Sequence, residues 1–364
     1  MTSVPELRST ILRSTALAVL LLFSCLLLHG CGGGKEPQAA HFALEGETMG
    51  TTYHIKVVLR PHQEVADNIQ AMIDERLAEI NALMSTYQPD SELSRFNASR
   101  DAAPFQLTHE TAEVFRIALE VSAQSGGAFD VTIGPLVNAY GFGPEAKRSL
   151  EDAEREALMQ SVGYHALTLD DEDRIAKGHL KTYCDLSAVA KGYACDAVAR
   201  LLEDEAIFQY MVEIGGEVKV RGRNERGKPW RLGIEKPTEG TFGELQEVVI
   251  MRRDRQPEAL ATSGDYRNFY MEDGKRVSHT IDARTGLPIG HLLASASVLH
   301  ESCARADAYA TAMMVLGPEE GMALAEKQGL AVYFVLHDGQ SFTTRESSAW
   351  TAHRERESRA DEEE

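Results

Sequence analysis

Asp307 and Thr311 lie four residues apart in the stretch that runs from Ala306 to Gly317, so on a helix they share one face and present two hard oxygens together. Such a pair suits magnesium, which prefers oxygen ligands in octahedral geometry and takes only one or two protein carboxylates, leaving places for water and substrate phosphate. An Asp and a Thr at this spacing also occur as a plain solvated face or a local hydrogen bond, so the pair needs context. A second stretch supplies some. In Asp185-Leu186-Ser187-Ala188-Val189-Ala190-Lys191-Gly192-Tyr193 a helix start is followed by one lysine, and amides beside an ammonium are what a pyrophosphate would meet. The plainer reading of those residues is a capped helix whose Asp185 and Ser187 satisfy its first amides. Ser263-Gly264-Asp265 reads as a polar loop and Asn97-Ala98-Ser99 as a turn, neither with a role that follows from residue type.

Positioning these groups requires a folded body, and 364 residues with 43% hydrophobic content are enough for one large or two moderate domains. The β-branched run from Gly50 to Leu59 predicts a strand. Ala66 to Met84 places Ile69, Met72, Ile73, Leu77, Ile80 and Leu83 at helical spacing. A second helix is expected from Thr108, its N-cap, to Ser125, with Gly126-Gly127 as the stop. Leu180 to Leu186 reads as a short strand leading into a helix from Ser187 to Leu202. Further strands are expected at Gln209 to Ile214, Glu217 to Arg221, Leu232 to Glu235, Val248 to Arg252 and Ala331 to Leu336, with helices at Arg305 to Leu316 and Pro318 to Gln328. The interleaving is irregular and no GxGxxG follows a strand, which disfavours a Rossmann fold and makes the class α+β. No composition shift divides residues 42–344, so they form one catalytic unit. Residues 345–364, dense in Arg, Glu and Ser, are expected to be a disordered tail.

The N-terminus stands apart. Arg8 and Arg13 precede an apolar stretch from Ala16 to Leu28, too short for a comfortable membrane span, so residues 1–30 read as a signal peptide rather than an uncleaved anchor. Leu28-His29-Gly30-Cys31 resembles the lipobox of bacterial lipoproteins, in which Cys31 would carry lipid, and residues 31–41 with Gly32 to Gly34 form a tether. The net charge of −19 excludes a nucleic-acid partner, whose phosphates need a basic surface. An anionic ligand must then be held by local positive charge, helix N-termini or a metal ion. Cys184, Cys195 and Cys303 remain in the body, an odd number at no zinc-site spacing, compatible with one disulfide or three thiols.

Read in order, the body carries MGTTY from Met49, STYQPDSELSRFN from Ser85, GGAFDVTIGPLVNAYGFGP from Gly126 and DLSAVAKGYACD from Asp185. It continues with IGGEVKVRG from Ile214, ATSGDYRNFY from Ala261, SHTIDARTGLP from Ser278 and ADAYATAMMVLG from Ala306. On these blocks, which span nearly the whole body, the chain resembles the FAD:protein FMN transferases, also called ApbE flavin transferases.

The resemblance implies an ApbE-like mixed α/β body in which FAD lies in a cleft and Mg²⁺ bridges its pyrophosphate. By position it assigns the metal to Asp307, Thr311 and the backbone carbonyl of Ala188. It assigns flavin contacts to Met49, Tyr87, Ala128, Phe129, Asp130, Asp185, Lys191 and Ile281. Tyr87 and Phe129 would cover planar rings, Met49 would adapt to them, and Lys191 would offset phosphate charge. His279 matches a histidine that takes the proton from the acceptor hydroxyl; its plainer reading is a loop histidine before Asp282, itself an alternative orienting carboxylate. The implied activity moves the FMN moiety of FAD onto a Thr or Ser hydroxyl of an acceptor flavoprotein by a phosphoester link, releasing AMP. The alternatives are a Mg-dependent FAD pyrophosphatase giving FMN and AMP, and a non-catalytic FAD-binding lipoprotein. The implied acceptors are subunits of Rnf-type complexes or sodium-pumping NADH:quinone oxidoreductases. They would place the chain in the cell envelope, lipid-anchored to the inner membrane and facing the periplasm, although Gly32 stands where an aspartate marks inner-membrane retention.

Overall fold

Tyr53, Ile55 and Val57 alternate with exposed Thr52, His54 and Lys56, which gives a strand with one buried face, and the same logic generates most of the central sheet. The computed structural model describes residues 40–363 apart from 146, 149, 238–243, 252–255, 257, 266–268, 273–274 and 339–340. The elements in chain order are β1 (His41–Thr48), β2 (Thr51–Val58), α1 (Ile69–Met84), α2 (Glu92–Ala98), β3 (Phe105–Gln106), α3 (His109–Gln124), α4 (Gly134–Ala139), α5 (Asp152–Met159), β4 (Leu167–Leu169), β5 (Arg174–Lys177) and α6 (Ser187–Asp204). There follow β6 (Tyr210–Ile214), β7 (Glu217–Arg221), β8 (Trp230–Glu235), β9 (Leu245–Met251), β10 (Glu258–Gly264), β11 (Phe269–Glu272), β12 (Lys275–Ser278), β13 (Ile281–Asp282), β14 (Leu287–Pro288) and β15 (Leu293–His300). The chain closes with α7 (Cys303–Gln328), β16 (Ala331–His337), β17 (Phe342–Glu346) and α8 (Ser348–Glu363).

Eight strands form one sheet in the order β1-β2-β6-β7-β10-β15-β16-β17, every neighbouring pair antiparallel. Antiparallel strands interleaved with helices make this an α+β fold, as the irregular order of predicted elements implies. Helices α6 and α7 lie against the sheet and against each other, and both are rich in Ala and Gly because there is little room between them. Gly192 marks the tightest point. A Cβ built there would meet the Cys303 carbonyl oxygen at 2.3 Å, so only glycine lets α6 approach the start of α7. Gly317, with φ 74°, and Pro318 break α7 in the middle, and its two halves are the two helices read from the sequence. Thr108 caps α3, its side chain accepting from the Thr111 amide.

Several expectations are corrected. Residues 348–363 are helical rather than disordered: Trp350 is buried against Tyr333 with ring centroids 5.2 Å apart, and His353 donates to the Ile250 carbonyl at 3.0 Å. Arg and Glu are good helix formers, and two inward anchors are enough to dock such a segment. The compact unit accordingly runs from His41 to Glu364, and His41 opens β1 instead of closing a tether. Among the described residues Leu180 to Leu186 has no strand partner; the Asn97 side chain bonds its backbone instead, accepting from the Cys184 amide at 2.7 Å and donating to its carbonyl at 2.8 Å. Asn97 is therefore a buried residue of α2, not a turn. Cys184, Cys195 and Cys303 are buried free thiols. The signal peptide, Cys31 and residues 31–39 of the tether lie outside the described residues. Among the described residues no helix is long and apolar enough to cross a membrane.

Candidate functional site

Two hairpin turns and two helices build the centre of the site. Thr48 and Thr51 pair across a two-residue turn in which Met49 and Gly50 both have positive φ, 50° and 71°. Such a primed turn ordinarily uses Asn or Gly, so a long unbranched side chain there is a strained choice, and the half-buried Met49 side chain packs against the core. The second turn, Gly215-Gly216, connects β6 and β7. The Gly215 amide donates to the Thr52 carbonyl at 3.0 Å, and a Cβ on Gly215 would meet both Thr51 Cγ2 at 2.8 Å and Lys191 Cδ at 3.2 Å. The Met49 turn is thereby carried to the side of Lys191.

Glu217, the first residue of β7, is 2% exposed and accepts a salt bridge from Lys191 Nζ at 2.7 Å through Oε1. Asp307, also 2% exposed, has Oδ1 at 3.9 Å from the same Nζ, while its Oδ2 accepts from the Gly192 amide at 3.0 Å. In a regular helix that amide faces the carbonyl of Ala188, so the Ala188 oxygen and the Asp307 carboxylate lie on the same side of α6. Thr311, one turn beyond Asp307 on α7, shares a hydrogen bond of 3.0 Å with the Ser263 hydroxyl. The structure thus brings Ala188, Lys191, Asp307 and Thr311 together, as expected. It also adds Glu217 and Ser263; the latter belongs to strand β10 rather than to a loop.

The electrostatics are unbalanced. One ammonium faces two buried carboxylates, and among the described residues Glu217 Oε2 has no hydrogen-bond partner. Burial raises the pKa of Asp307, with Lys191 and the Gly192 amide pulling it down; burial likewise raises Glu217, opposed by Lys191 and reinforced by Asp307. Burial disfavours the charged form of Lys191, but Asp307 and then Glu217 outweigh it and hold its pKa above the ordinary lysine value. Hard oxygens, a surplus negative charge and an orphaned carboxylate oxygen fit a divalent cation. Among the described residues no group of three or more His, Cys, Asp or Glu could hold a metal, so such an ion would depend on hydroxyl, carbonyl and ligand oxygens.

A second group of expected residues converges just before α6. The Asp185 amide donates to the Val131 carbonyl at 2.7 Å, which ties it to the run Ala128-Phe129-Asp130, and its carboxylate accepts from the Ser187 amide at 2.9 Å. This is a local turn ahead of α6, whose N-cap is Leu186 with no side-chain cap bond, so the expected capping by Asp185 and Ser187 is corrected. Tyr87 is 68% exposed; partial burial of its hydroxyl, then the charge of Asp185, raises its pKa. An exposed aromatic at this place is available to a planar ligand. Phe129 is not: its ring is packed in the core at 3% exposure, which corrects the expectation that it covers a ring and leaves that to Tyr87. Ala128 and Asp130 are buried too. Asp130 accepts from the Thr132 amide and hydroxyl and from the Tyr164 amide, so its carboxylate shapes the loop. Ile281 is buried in the short β13–β14 ribbon. His279 lies two residues before it, half-buried, with its ring edge-on to Phe142 at 6.1 Å, and Phe142 stacks on Tyr270 at 5.4 Å. Asp282 holds Arg284 through its backbone amide at 2.8 Å and its guanidinium at 2.9 Å.

Asp196 and Lys219 are structural residues that residue type alone did not single out. Asp196, buried on α6, accepts from Lys219 at 2.5 Å, from the Ser302 hydroxyl at 2.9 Å, and from the Cys303 and Ala304 amides at 3.0 and 3.1 Å. It caps α7 from a neighbouring helix and so sets the position of Asp307. The available signal was their place inside DLSAVAKGYACD and IGGEVKVRG.

A family model described as the ApbE family matches residues 49–334. The chain is 42% identical over 334 residues to a FAD:protein FMN transferase of Vibrio cholerae, covering 91% of this chain and 97% of that one. It is 38% identical to the Escherichia coli K12 protein of the same name, covering 90% and 94%. Solved structures agree: flavin transferase ApbE from Vibrio cholerae superimposes with a TM-score of 0.78 at 41% identity, covering 86% of this chain and 99% of that one. The apo form of the Pseudomonas stutzeri flavinyl transferase ApbE gives 0.78 at 37%, covering 86% and 97%.

Proposed function

The chain belongs to the ApbE family, and from that membership we propose that it is a Mg²⁺-dependent FAD:protein FMN transferase acting on a Thr or Ser hydroxyl of an acceptor flavoprotein. The observation that carries this reading is the buried cluster of Lys191, Glu217 and Asp307 with Thr311 alongside, where charge surplus and oxygen donors suit a cation bound with a pyrophosphate. Asp307, Thr311 and the Ala188 carbonyl would hold the ion, which when bound neutralises pyrophosphate charge and polarises the phosphorus under attack. Lys191 adds a positive charge beside the phosphates, while Met49 and Tyr87 receive the flavin ring.

The acceptor hydroxyl oxygen attacks the FMN-side phosphorus, the bridging P–O bond to the AMP half breaks, and AMP leaves with the bridging oxygen. The hydroxyl proton passes to His279, whose ring lies edge-on to Phe142. The product is a flavin joined to protein by a phosphoester, and most of the acceleration comes from positioning and charge. A lipid anchor at Cys31 and attachment to the inner membrane facing the periplasm would bring the enzyme to acceptors of the Rnf or sodium-pumping NADH:quinone oxidoreductase type.

The test is to incubate the full-length protein, FAD and Mg²⁺ with a threonine-bearing acceptor domain of one of these types, then read flavin fluorescence in denatured gel bands alongside free FMN and AMP. A fluorescent acceptor band that EDTA or Asp307→Ala abolishes is the expected result. Free FMN and AMP with a dark acceptor would make the protein a pyrophosphatase; intact FAD would make it a binding protein.

A further inference from the structure

We propose that Glu217 is a positioning residue that holds Lys191 off Asp307 and so keeps the Asp307 carboxylate open for a divalent cation; this rests on the reading of Asp307 and Thr311 as cation ligands. The geometry is specific. Asp307 Oδ2 is already engaged by the Gly192 amide at 3.0 Å, which leaves Oδ1 as the oxygen a cation would take. The nearest competitor for Oδ1 is the Lys191 ammonium at 3.9 Å, and a shift of about 1 Å would close a direct hydrogen bond. A lysine ammonium on a flexible stem makes such shifts readily, and in a buried site the attraction is much stronger than at a surface.

What opposes the shift is the 2.7 Å bond from Nζ to Glu217 Oε1. Glu217 is well placed to oppose it, because it is fixed on β7 by pairing with Ile214 across the Gly215-Gly216 turn and is too buried to swing out to water. A pair kept only for stability would satisfy both carboxylate oxygens, since an orphaned buried acceptor costs about 1–3 kcal/mol. Among the described residues Glu217 Oε2 has no hydrogen-bond partner. The lysine is thus drawn sideways by one carboxylate while the other stays exposed to an incoming divalent ion, whose charge alone would reverse the local surplus of one negative charge.

Manganese binding to the full-length protein without FAD, measured by the loss of the free Mn²⁺ paramagnetic resonance signal, tests this directly. Glu217→Gln is expected to weaken Mn²⁺ about tenfold, in line with other residues that orient metal ligands. Lys191→Met should bind Mn²⁺ at least as tightly as the wild type, and adding Glu217→Gln to it should change affinity less than about twofold, because the residue through which Glu217 acts is gone. The double variant also removes both charges of the pair, so recovered binding shows that the fold is intact. An equal loss in both backgrounds would give Glu217 a direct electrostatic or ligand role and overturn the proposal, as would unchanged affinity in Glu217→Gln. Asp307→Ala separates the two levels: if it binds Mn²⁺ like the wild type, the cation reading itself fails. If it abolishes binding while Glu217→Gln does nothing, only the positioning role fails.

Discussion

Helices α6 and α7 and strand β7 build two buried charge clusters side by side, and the two are resolved in opposite ways. In one, Lys219 and Asp196 pair at 2.5 Å, and Asp196 also receives the Ser302 hydroxyl and two α7 amides, so both its oxygens are satisfied. In the other, two residues back along β7, Glu217 shares Lys191 with Asp307, and one Glu217 oxygen has no hydrogen-bond partner among the described residues. Burial costs both clusters dearly in desolvation; only the first is compensated within the chain. The contrast separates a buried charge whose partners are all supplied by the chain and hold a helix in place from one whose partners within the chain are fewer.

Breaking the satisfied cluster should have the largest effect on stability. Asp196→Ala leaves Lys219 with the Glu301 carbonyl but without its carboxylate partner, removes the acceptor of the first α7 amides, and is expected to cost about 3–5 kcal/mol, read from urea unfolding of the full chain. A loss under 1 kcal/mol would mean the cap is dispensable and the contrast false. Asp307→Asn should do the reverse. Transfer activity is expected to fall at least about a hundredfold, while the cation-free thermal midpoint holds or rises as carboxylate repulsion is relieved. A midpoint lowered as far as that of Asp196→Ala would place Asp307 among the structural charges. Ser263→Ala, which removes the hydroxyl bonded to Thr311, should weaken divalent-ion affinity about tenfold and alter stability by only about 1 kcal/mol.

The smallest effect is a pH dependence confined to the satisfied cluster. His300 Nδ1 accepts from the Ser302 amide at 2.9 Å, and burial, then Arg305, lowers its pKa below the ordinary value of 6.5. The unfolded chain therefore takes up this proton more readily than the folded one. The contribution of His300 is complete above about pH 6.5 and declines as pH falls below it. His300→Gln should flatten that part of the stability profile measured by denaturant unfolding between pH 5 and 7; an unchanged slope would assign the acid sensitivity elsewhere.

Legibility in the sequence followed the range of the interactions. The i, i+4 spacing of Asp307 and Thr311, the Thr108 cap and the alternation of β2 are local patterns, and all appear in the structure. β15 was missed because a central strand buried along nearly its whole length loses the period-two signal, and its Ala and Ser residues carry little β preference. The tail was misread because its charge masked two inward anchors, Trp350 and His353. Leu180 to Leu186 has strand composition, but the amide and carbonyl of Cys184 within it are taken by the Asn97 side chain.

The sequence by itself determined the α+β class, the acidic body, the face shared by Asp307 and Thr311, and through its motif blocks the family. The tertiary structure alone decided which charges are satisfied. Gly192 reaches Asp307 across 115 residues of chain and Cys303 reaches Asp196 across 107, and the pairing of Glu217 with Lys191 depends on a hairpin turn packed against a helix. A buried carboxylate becomes a fully paired cap or keeps fewer partners according to the donors that folding brings to it, and spacing along the chain does not encode those donors.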